Sequence, residues 1–144
     1  MTLQTRFGEI EVDEDKTIEF KEGIPGFETL RKFILIEDEE SKFCYLQSVE
    51  EGAIAFTIIS PEWVKSDYAP CIGESYFEKL GGGKTEDFVL YNIVAVRQPI
   101  EETTVNLQAP LLIHTTRRLG VQAIAEGKDY QVRHKLIELI QERG

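Results

Sequence analysis

The sequence has little of what several classes of protein depend on. It contains two cysteines, Cys44 and Cys71, which are isolated from each other, so we expect free thiols in a reducing compartment. The longest uncharged apolar run, from Phe88 to Val96, has about nine residues and is too short to span a membrane. No apolar stretch follows a basic N-terminus, so we expect no signal peptide and a cytoplasmic location.

Basic residues are also few. Lysine and arginine total 16 against 26 acidic residues, which gives a net charge of −10. Residues 1–51 hold 14 acids and 6 bases, whereas residues 52–144 hold 12 acids and 10 bases. Such a surface repels a phosphate backbone, which argues against direct nucleic-acid binding but suits a basic protein partner. The simpler interpretation is that the acidic residues keep the domain soluble.

The chain does contain a succession of short apolar runs that are typical of β-strands. With 144 residues, 42% of them apolar, we expect one domain over residues 1–144 with a substantial core. Strands at this spacing, joined by short turns, predict an all-β fold: a small antiparallel β-barrel-like domain with one or two short helices and a C-terminal helix. The predicted strands cover residues 3–12 with a turn at Gly8, 18–20, 33–36, 43–49, 53–59, 88–96, 105–107, 111–113 and 121–124.

Two segments have helical spacing, and a third segment has the composition of a turn. Residues 75–80 predict a short helix, and a second helix is predicted from about residue 131. The segment Gly23-Ile-Pro-Gly-Phe27 is a predicted turn, with Ile24 and Phe27 packed inward. The C-terminal helix is predicted by four apolar residues at helical spacing, Val132, Leu136, Leu139 and Ile140.

Motifs for catalysis or metal binding are incomplete. Gly83-Lys84-Thr85 resembles the end of a phosphate-binding loop, but Glu78 stands where that loop needs its first glycine. Gly73-Glu-Ser-Tyr-Phe77 resembles a nucleophile elbow, with phenylalanine in place of the closing glycine. His114 and His134 have no cysteine or histidine at ligand spacing, so we interpret them as surface or hydrogen-bonded histidines. We therefore expect no enzymatic activity, no bound metal and no cofactor.

Five short motifs follow one another along nearly the whole chain. They are Thr5-Arg-Phe-Gly-Glu-Ile10, Phe20-Lys-Glu-Gly-Ile-Pro-Gly-Phe27, Tyr45-Leu-Gln-Ser48, Thr104-Val-Asn-Leu-Gln-Ala-Pro-Leu-Leu-Ile113 and Tyr130-Gln-Val-Arg-His134. Each motif alone is weak, but the five in this order resemble the bacterial flagellar assembly factor FliW family. The sequence departs from the family pattern at His114, where asparagine is expected. Its tail after Leu136 is also longer and more helical than the pattern requires.

The resemblance implies a non-enzymatic partner switch on a small β-barrel. Such proteins bind newly made flagellin in the cytoplasm. They also bind CsrA, an RNA-binding dimer that represses flagellin translation, so that export of flagellin frees the factor to capture CsrA. A basic RNA-binding surface suits an acidic partner. Flagellin ends are disordered before assembly and form helices, so a groove or sheet edge is the expected receptor. The alternative class is a small β-barrel that binds nucleic acid or a small ligand.

Seven residues are candidates for partner binding: Trp63, Tyr68, Asn106, Gln108, Tyr130, Arg133 and His134. The first two lie in residues 60–80, where many aromatic residues occur in irregular chain. This stretch is either a loop that caps the barrel or an interaction face. We expect Trp63 to belong to the cap and Tyr68 to contact a partner, because Asp67 beside it indicates exposure.

The other five candidates also have structural alternatives. Asn106 and Gln108 are polar residues within predicted strands, and their side chains would otherwise satisfy backbone groups at a bulge. Tyr130, Arg133 and His134 form an aromatic and basic corner, which would otherwise anchor the last helix.

Overall fold

The computed structural model of the chain describes residues 2–126 and 130–143. Its helices are α1 (Glu74–Lys79) and α2 (Leu136–Arg143). Its strands are β1 (Thr2–Thr5), β2 (Gly8–Glu11), β3 (Ile18–Glu19), β4 (Lys32–Glu37), β5 (Phe43–Ser48), β6 (Ala55–Ile59), β7 (Phe88–Ala95), β8 (Thr104–Val105), β9 (Leu111–His114), β10 (Leu119–Gln122) and β11 (His134–Lys135).

Seven of these strands close into a barrel. The order around the barrel is β7, β6, β5, β4, β3, β10 and β9, and the pairing of β9 with β7 closes the ring. The neighbours are antiparallel except β3 and β10, which meet in parallel at Glu19 and Leu119. The predicted all-β, barrel-like fold with one or two short helices and a C-terminal helix is therefore confirmed.

Side chains fill the interior of the barrel. Phe20 and Phe33 meet edge to face at its centre, with ring centroids 5.5 Å apart. A Cβ atom at Gly120 would lie 2.5 Å from the Phe20 ring, so β10 reaches this ring only because residue 120 has no side chain. The buried core comprises Ile18, Phe20, Ile24, Phe33, Leu46, Ile58, Leu111 and Ile113. Since the interior is packed, binding to this domain has to use its outside.

Two further clusters cover the outer face of the barrel. Strand alternation places Leu111 and Ile113 inside, whereas Leu112 between them points outward beneath α1. In the same way, Ile58 points inward and Ile59 points outward into a cluster with Val64, Leu107 and Leu139. The segment between β6 and β7 therefore lies over outward-facing apolar residues.

Strand β7 changes neighbours halfway along its length. On one side it pairs first with β9, through Phe88–Tyr91, and then with β8, through Val94 and Ala95. The residues between β8 and β9 bulge out of this ladder, as the structural alternative for Asn106 and Gln108 supposed. On the other side, β6 reaches only as far as the Ile59–Asn92 pair.

The N-terminal strands form a separate hairpin. Strands β1 and β2 pair only with each other, from Thr2 opposite Glu11 to Thr5 opposite Gly8. The ring of Phe7 lies against the ring of Tyr45 on β5, with centroids 4.7 Å apart. The hairpin therefore lies over the outer face of the barrel.

Three local predictions were wrong. Helix α2 begins at Leu136 instead of about residue 131, because residues 131–135 form backbone hydrogen bonds to residues 103–108 and stay extended. Of its predicted apolar stripe, Leu139 is buried but Val132 and Ile140 are exposed. In the Gly23–Phe27 turn, Ile24 is buried as predicted, whereas Phe27 is 39% exposed and packs edge-on against Phe56.

Candidate partner-binding surface

Tyr68 fastens the loop after β6 to the bulge before β9. Its hydroxyl donates a 2.5 Å hydrogen bond to the carbonyl of Leu107, and the buried amide of Asn92 donates to that hydroxyl at 3.3 Å. Burial raises the pKa of Tyr68 to about 12, against an opposing effect of the Asn92 hydrogen bond. The hydroxyl is therefore a protonated donor at neutral pH. Tyr68 packs into the outer cluster of Leu107, and the exposure expected for it is not observed.

Asn106 organises the bulge that Tyr68 contacts. Its side-chain oxygen accepts hydrogen bonds from the amides of Gln108 and Ala109, at 3.1 Å and 2.9 Å. Its carbonyl accepts one from the side chain of Asn92, at 2.9 Å. The structural alternative proposed for Asn106 is thus confirmed, and for Gln108 it is the backbone amide that takes part. Both residues are half-buried.

Tyr130 and His134 lie beside the same bulge. The ring of Tyr130 meets that of Tyr68 edge to face at 4.7 Å, and its hydroxyl accepts a hydrogen bond from the amide of Ala69 at 2.9 Å. The Nε2 atom of His134 accepts one from the amide of Gln131 at 2.8 Å. Five of the seven predicted residues therefore lie around one structural junction: Tyr68, Asn106, Gln108, Tyr130 and His134.

Trp63 and Arg133 stand apart from this hydrogen-bonded junction. Trp63 is 40% exposed in the single-turn 3-10 helix Pro61–Trp63, and the Nζ atom of Lys42 lies 4.0 Å from its ring centroid. The expected cap position of Trp63 is thus wrong, because its ring lies at the surface, whereas partner contact by Tyr68 stays a prediction. The reason is that Val64, next in the chain, takes the buried position. Arg133 is exposed.

Two amides that sequence reasoning did not select turn out to be buried. Asn92 lies in the middle of β7 and links Tyr68 to the bulge, as described above. Gln47 on β5 donates to the carbonyls of Ser48, Gly52 and Ile54, and so holds the turn that leads to β6. Each interrupts an apolar run, which is the signal in the sequence that would have identified it.

A groove runs between the hairpin and β4. It has a volume of about 800 Å³ and is lined by Phe7 and Ile10 of the hairpin and by Ile34 and Ile36 of β4. The acidic segment Glu37–Glu40 begins at the last residue of β4. The further lining residues are Glu11, Asp13, Lys16, Leu35 and Arg118. The charged residues that line the groove are two acids and two bases, so it offers a segment an apolar surface with charges of both signs.

A second groove of about 530 Å³ lies where β6 separates from β7. It is lined by Ser60–Glu62 and by Phe88–Leu90 of β7. The other lining residues are Pro70, Ile72, Phe77, Thr85 and Leu112. Most of these side chains are apolar, and Val89 is 37% exposed.

His114 is held by contacts to the backbone. His114 is buried, with Nε2 3.2 Å from the carbonyl of Gly82 and Nδ1 accepting from the amide of Arg117 at 3.1 Å. Both cysteines are free, and burial raises the pKa of the Cys44 thiol.

Across the described ranges, no three His, Cys, Asp or Glu side chains are grouped to hold a metal ion. The absence of a metal or cofactor remains a prediction. No helix among residues 2–126 and 130–143 has the length and apolar character needed to cross a membrane.

These features define a class: a small barrel with a packed interior, whose grooves and charged loops lie on its outside. Comparisons with known proteins identify the family. The sequence profile described as "FliW protein" matches residues 2–136, and the chain belongs to this family.

Curated relatives and a solved structure agree with this assignment. The chain is 40% identical to the "Flagellar assembly factor FliW" of Caldicellulosiruptor saccharolyticus over 132 residues, which cover 92% of this chain and 87% of the relative. It is 42% identical to the protein of that name from Alkaliphilus metalliredigens over 144 residues, with 98% and 89% covered. A crystal structure of the flagellar assembly factor FliW superposes with a TM-score of 0.88 at 35% identity, covering 94% of this chain and 96% of that one.

Proposed function

We propose that this protein is a non-enzymatic flagellar assembly factor of the cytoplasm, which binds flagellin and antagonises the translational regulator CsrA. Flagellin occupies the protein while export is blocked. Export releases the protein, which then captures CsrA and relieves the repression of flagellin translation. The observation that carries this proposal is the family match over residues 2–136, together with relatives that are named flagellar assembly factors.

The distribution of charge supports a basic partner. The first 51 residues, which form the hairpin and the strands through β5, carry 14 of the 26 acids and only 6 of the 16 bases. Opposite charge accelerates encounter and favours one class of partner over others. An RNA-binding regulator presents such a basic surface, whereas nucleic acid itself is repelled by this charge.

The shape of the molecule supports recognition of a protein segment. The interior of the barrel is occupied by side chains, whereas the two grooves on its outside are open and largely apolar. Grooves of this kind receive amphipathic helices or extended strands, which disordered protein ends supply on binding.

Titration calorimetry with three purified samples tests the proposal. The protein is titrated with flagellin, with CsrA, and with CsrA after saturation by flagellin, all from the same bacterium. We expect each partner to bind alone and flagellin to reduce the affinity for CsrA. Translation of a flagellin messenger in a purified system should rise when the protein is added to CsrA. Binding of RNA without either protein partner would instead support the nucleic-acid alternative, and binding of neither would refute the switch.

A further inference from the structure

The gap between β6 and β7 exposes one edge of a barrel strand. The register of the two strands would place Ser60 opposite Tyr91, but β6 ends at Ile59. Pro61 then begins a 3-10 turn and has no amide hydrogen to continue the ladder. Over Phe88–Tyr91, β7 therefore has a neighbouring strand only on the β9 side, among the residues that the structure describes.

The alternation of hydrogen bonds shows which backbone groups face this gap. The carbonyl of Asp87 accepts a 2.9 Å hydrogen bond from the amide of Thr115, so the pair of residues 87 and 115 is a hydrogen-bonded one. In an antiparallel pair, the next residue along points its amide and carbonyl the other way. The backbone amides and carbonyls of Val89 and Tyr91 therefore point toward β9, whereas those of Leu90 point toward the groove. The amide of Phe88 also turns to this side, where it bonds to the carbonyl of Thr85.

The groove beside this edge has room for a strand and a chemistry that suits one. Its volume is about 530 Å³, and apolar side chains, among them Ile72 and Phe77, line it together with Ser60–Glu62. Glu62 is the charged residue among those that line it, and Glu86 and Asp87 lie just before β7 begins. A strand placed here would meet apolar side chains on one face and negative charge at the rim.

We propose that this groove binds an extended segment of a partner protein, which adds to the Phe88–Tyr91 edge of β7 as a further β-strand. The inference rests on the proposed function in that the segment belongs to a protein partner. Its chemistry follows from the groove: apolar side chains at every second position lie against Phe77 and Ile72, and a basic side chain lies near Glu62. Backbone hydrogen bonds to Leu90 supply affinity, and the side-chain pockets supply selectivity.

Paired substitutions locate the surface. Lysine on an exposed strand edge blocks pairing with another strand, so Val89→Lys should weaken partner binding by about tenfold or more while the melting temperature changes little. Val96→Lys is the matched control, since Val96 is 48% exposed directly after the end of β7. Glu62→Lys should also weaken binding, with Glu101→Lys as its control in another 3-10 turn. Equal effects of test and control variants would place the partner elsewhere.

Peptide probes test the binding mode. Overlapping peptides of about 15 residues are tiled across flagellin and CsrA, and hits are sought that lose affinity with Val89→Lys. In such a hit, N-methylation of single backbone amides should abolish binding at alternate positions only, because an added strand turns every second amide toward β7. The Leu90 amide should become protected from hydrogen exchange when the peptide binds.

The results distinguish failure of the strand site from failure of the proposed function. If an intact partner binds but no peptide depends on Val89, the strand site is wrong while the proposed function stands. If neither flagellin nor CsrA binds the wild-type protein, both proposals fail. N-methylation effects without a period of two, with helical chemical shifts in the bound peptide, would overturn the strand mode. Dimerisation of the protein by itself, detected by sedimentation and abolished by Val89→Lys, would overturn the choice of a partner segment as the occupant.

Discussion

The ring of Tyr68 lies edge-on to the ring of Tyr130 with centroids 4.7 Å apart, and each hydroxyl holds a different backbone segment. Tyr68 donates to the carbonyl of Leu107, whereas Tyr130 accepts from the amide of Ala69. The two side chains thus tie the loop after β6 and the segment before α2 to the bulge before β9. The loop that begins with Ser60–Glu62, which line the groove beside β7, is thus fastened at Tyr68 and Ala69.

Removal of the Tyr68 hydroxyl should destabilise the fold. Leu107 is fully buried, so in Tyr68→Phe its carbonyl loses a partner that water cannot replace. We expect a loss of about 1–3 kcal/mol in the free energy of unfolding, measured by urea denaturation. Because burial raises the pKa of Tyr68 from 10.0 to about 12, wild-type stability should also fall as the pH rises through this window. The variant should lack the contribution that Tyr68 makes to that fall.

Tyr130→Phe is the matched control for this prediction. It also removes one hydroxyl, but the amide of Ala69 is at an exposed residue and can bond to water. Its cost should therefore be smaller, about 0.5–1 kcal/mol. A cost for Tyr130→Phe as large as that for Tyr68→Phe would show that burial of the acceptor does not decide the effect.

The fold could be predicted from the sequence because its strands alternate regularly. Apolar runs such as Phe43–Val49 and Phe88–Val96 have strand periodicity, and their short connections favour neighbouring antiparallel strands. The start of α2 could not be predicted in this way. Residues 131–135 have helical apolar spacing, but hydrogen bonds to residues 103–108, distant in the sequence, hold them extended.

The surface was harder to predict, because exposure depends on which neighbour takes the buried position. Trp63 and Val64 are adjacent apolar residues, and the sequence does not say which of the two turns inward. The structure places Val64 inside. The open edge of β7 could not be predicted from the sequence either. It depends on the register between β6 and β7, which no local pattern specifies.

Trp63 and Tyr68 should respond oppositely to truncation. Trp63 is exposed, so Trp63→Ala should leave the melting temperature nearly unchanged but weaken partner binding by about 1–3 kcal/mol, if Trp63 lies in the interface. Tyr68→Ala should cost about 3 kcal/mol of folding stability, with affinity intact in the folded fraction. Melting and calorimetry on the same samples separate these effects. Unchanged affinity in Trp63→Ala would remove Trp63 from the interface, and Ile124→Ala, at another exposed apolar residue, is the control.

The acidic segment after β4 should control the rate of association. Asp38 is left intact, because its carboxylate accepts from the amide of Glu40 and the hydroxyl of Ser41. The double variant Glu39→Lys and Glu40→Lys should reduce the association rate with CsrA, most strongly at low salt. The same charge change at Glu78 and Glu101 is the control. Equal association rates for the two double variants would show that the segment is a solvated loop with no role in association.

Glu50 should make stability depend on acidic pH. Its Oε1 atom accepts hydrogen bonds from the amides of Arg31 and Lys32, at 2.6 Å and 2.8 Å, where the chain enters β4. These bonds favour the ionised carboxylate and lower the pKa of Glu50 from its ordinary value of 4.5. The stabilisation is therefore present above pH 4.5 and is lost as the pH falls through the lower folded-state pKa.

The test compares wild-type protein with Glu50→Gln by urea denaturation at several pH values. At pH 7 the variant should be less stable by about 1 kcal/mol, a modest figure because the carboxylate is exposed to solvent. Below pH 4.5 the difference should shrink, since the wild-type carboxyl then becomes neutral as well. Glu51→Gln controls for the loss of one negative charge at the neighbouring position. A difference that stays constant from pH 7 down to about pH 3 would show that the two backbone bonds do not depend on the charge of Glu50.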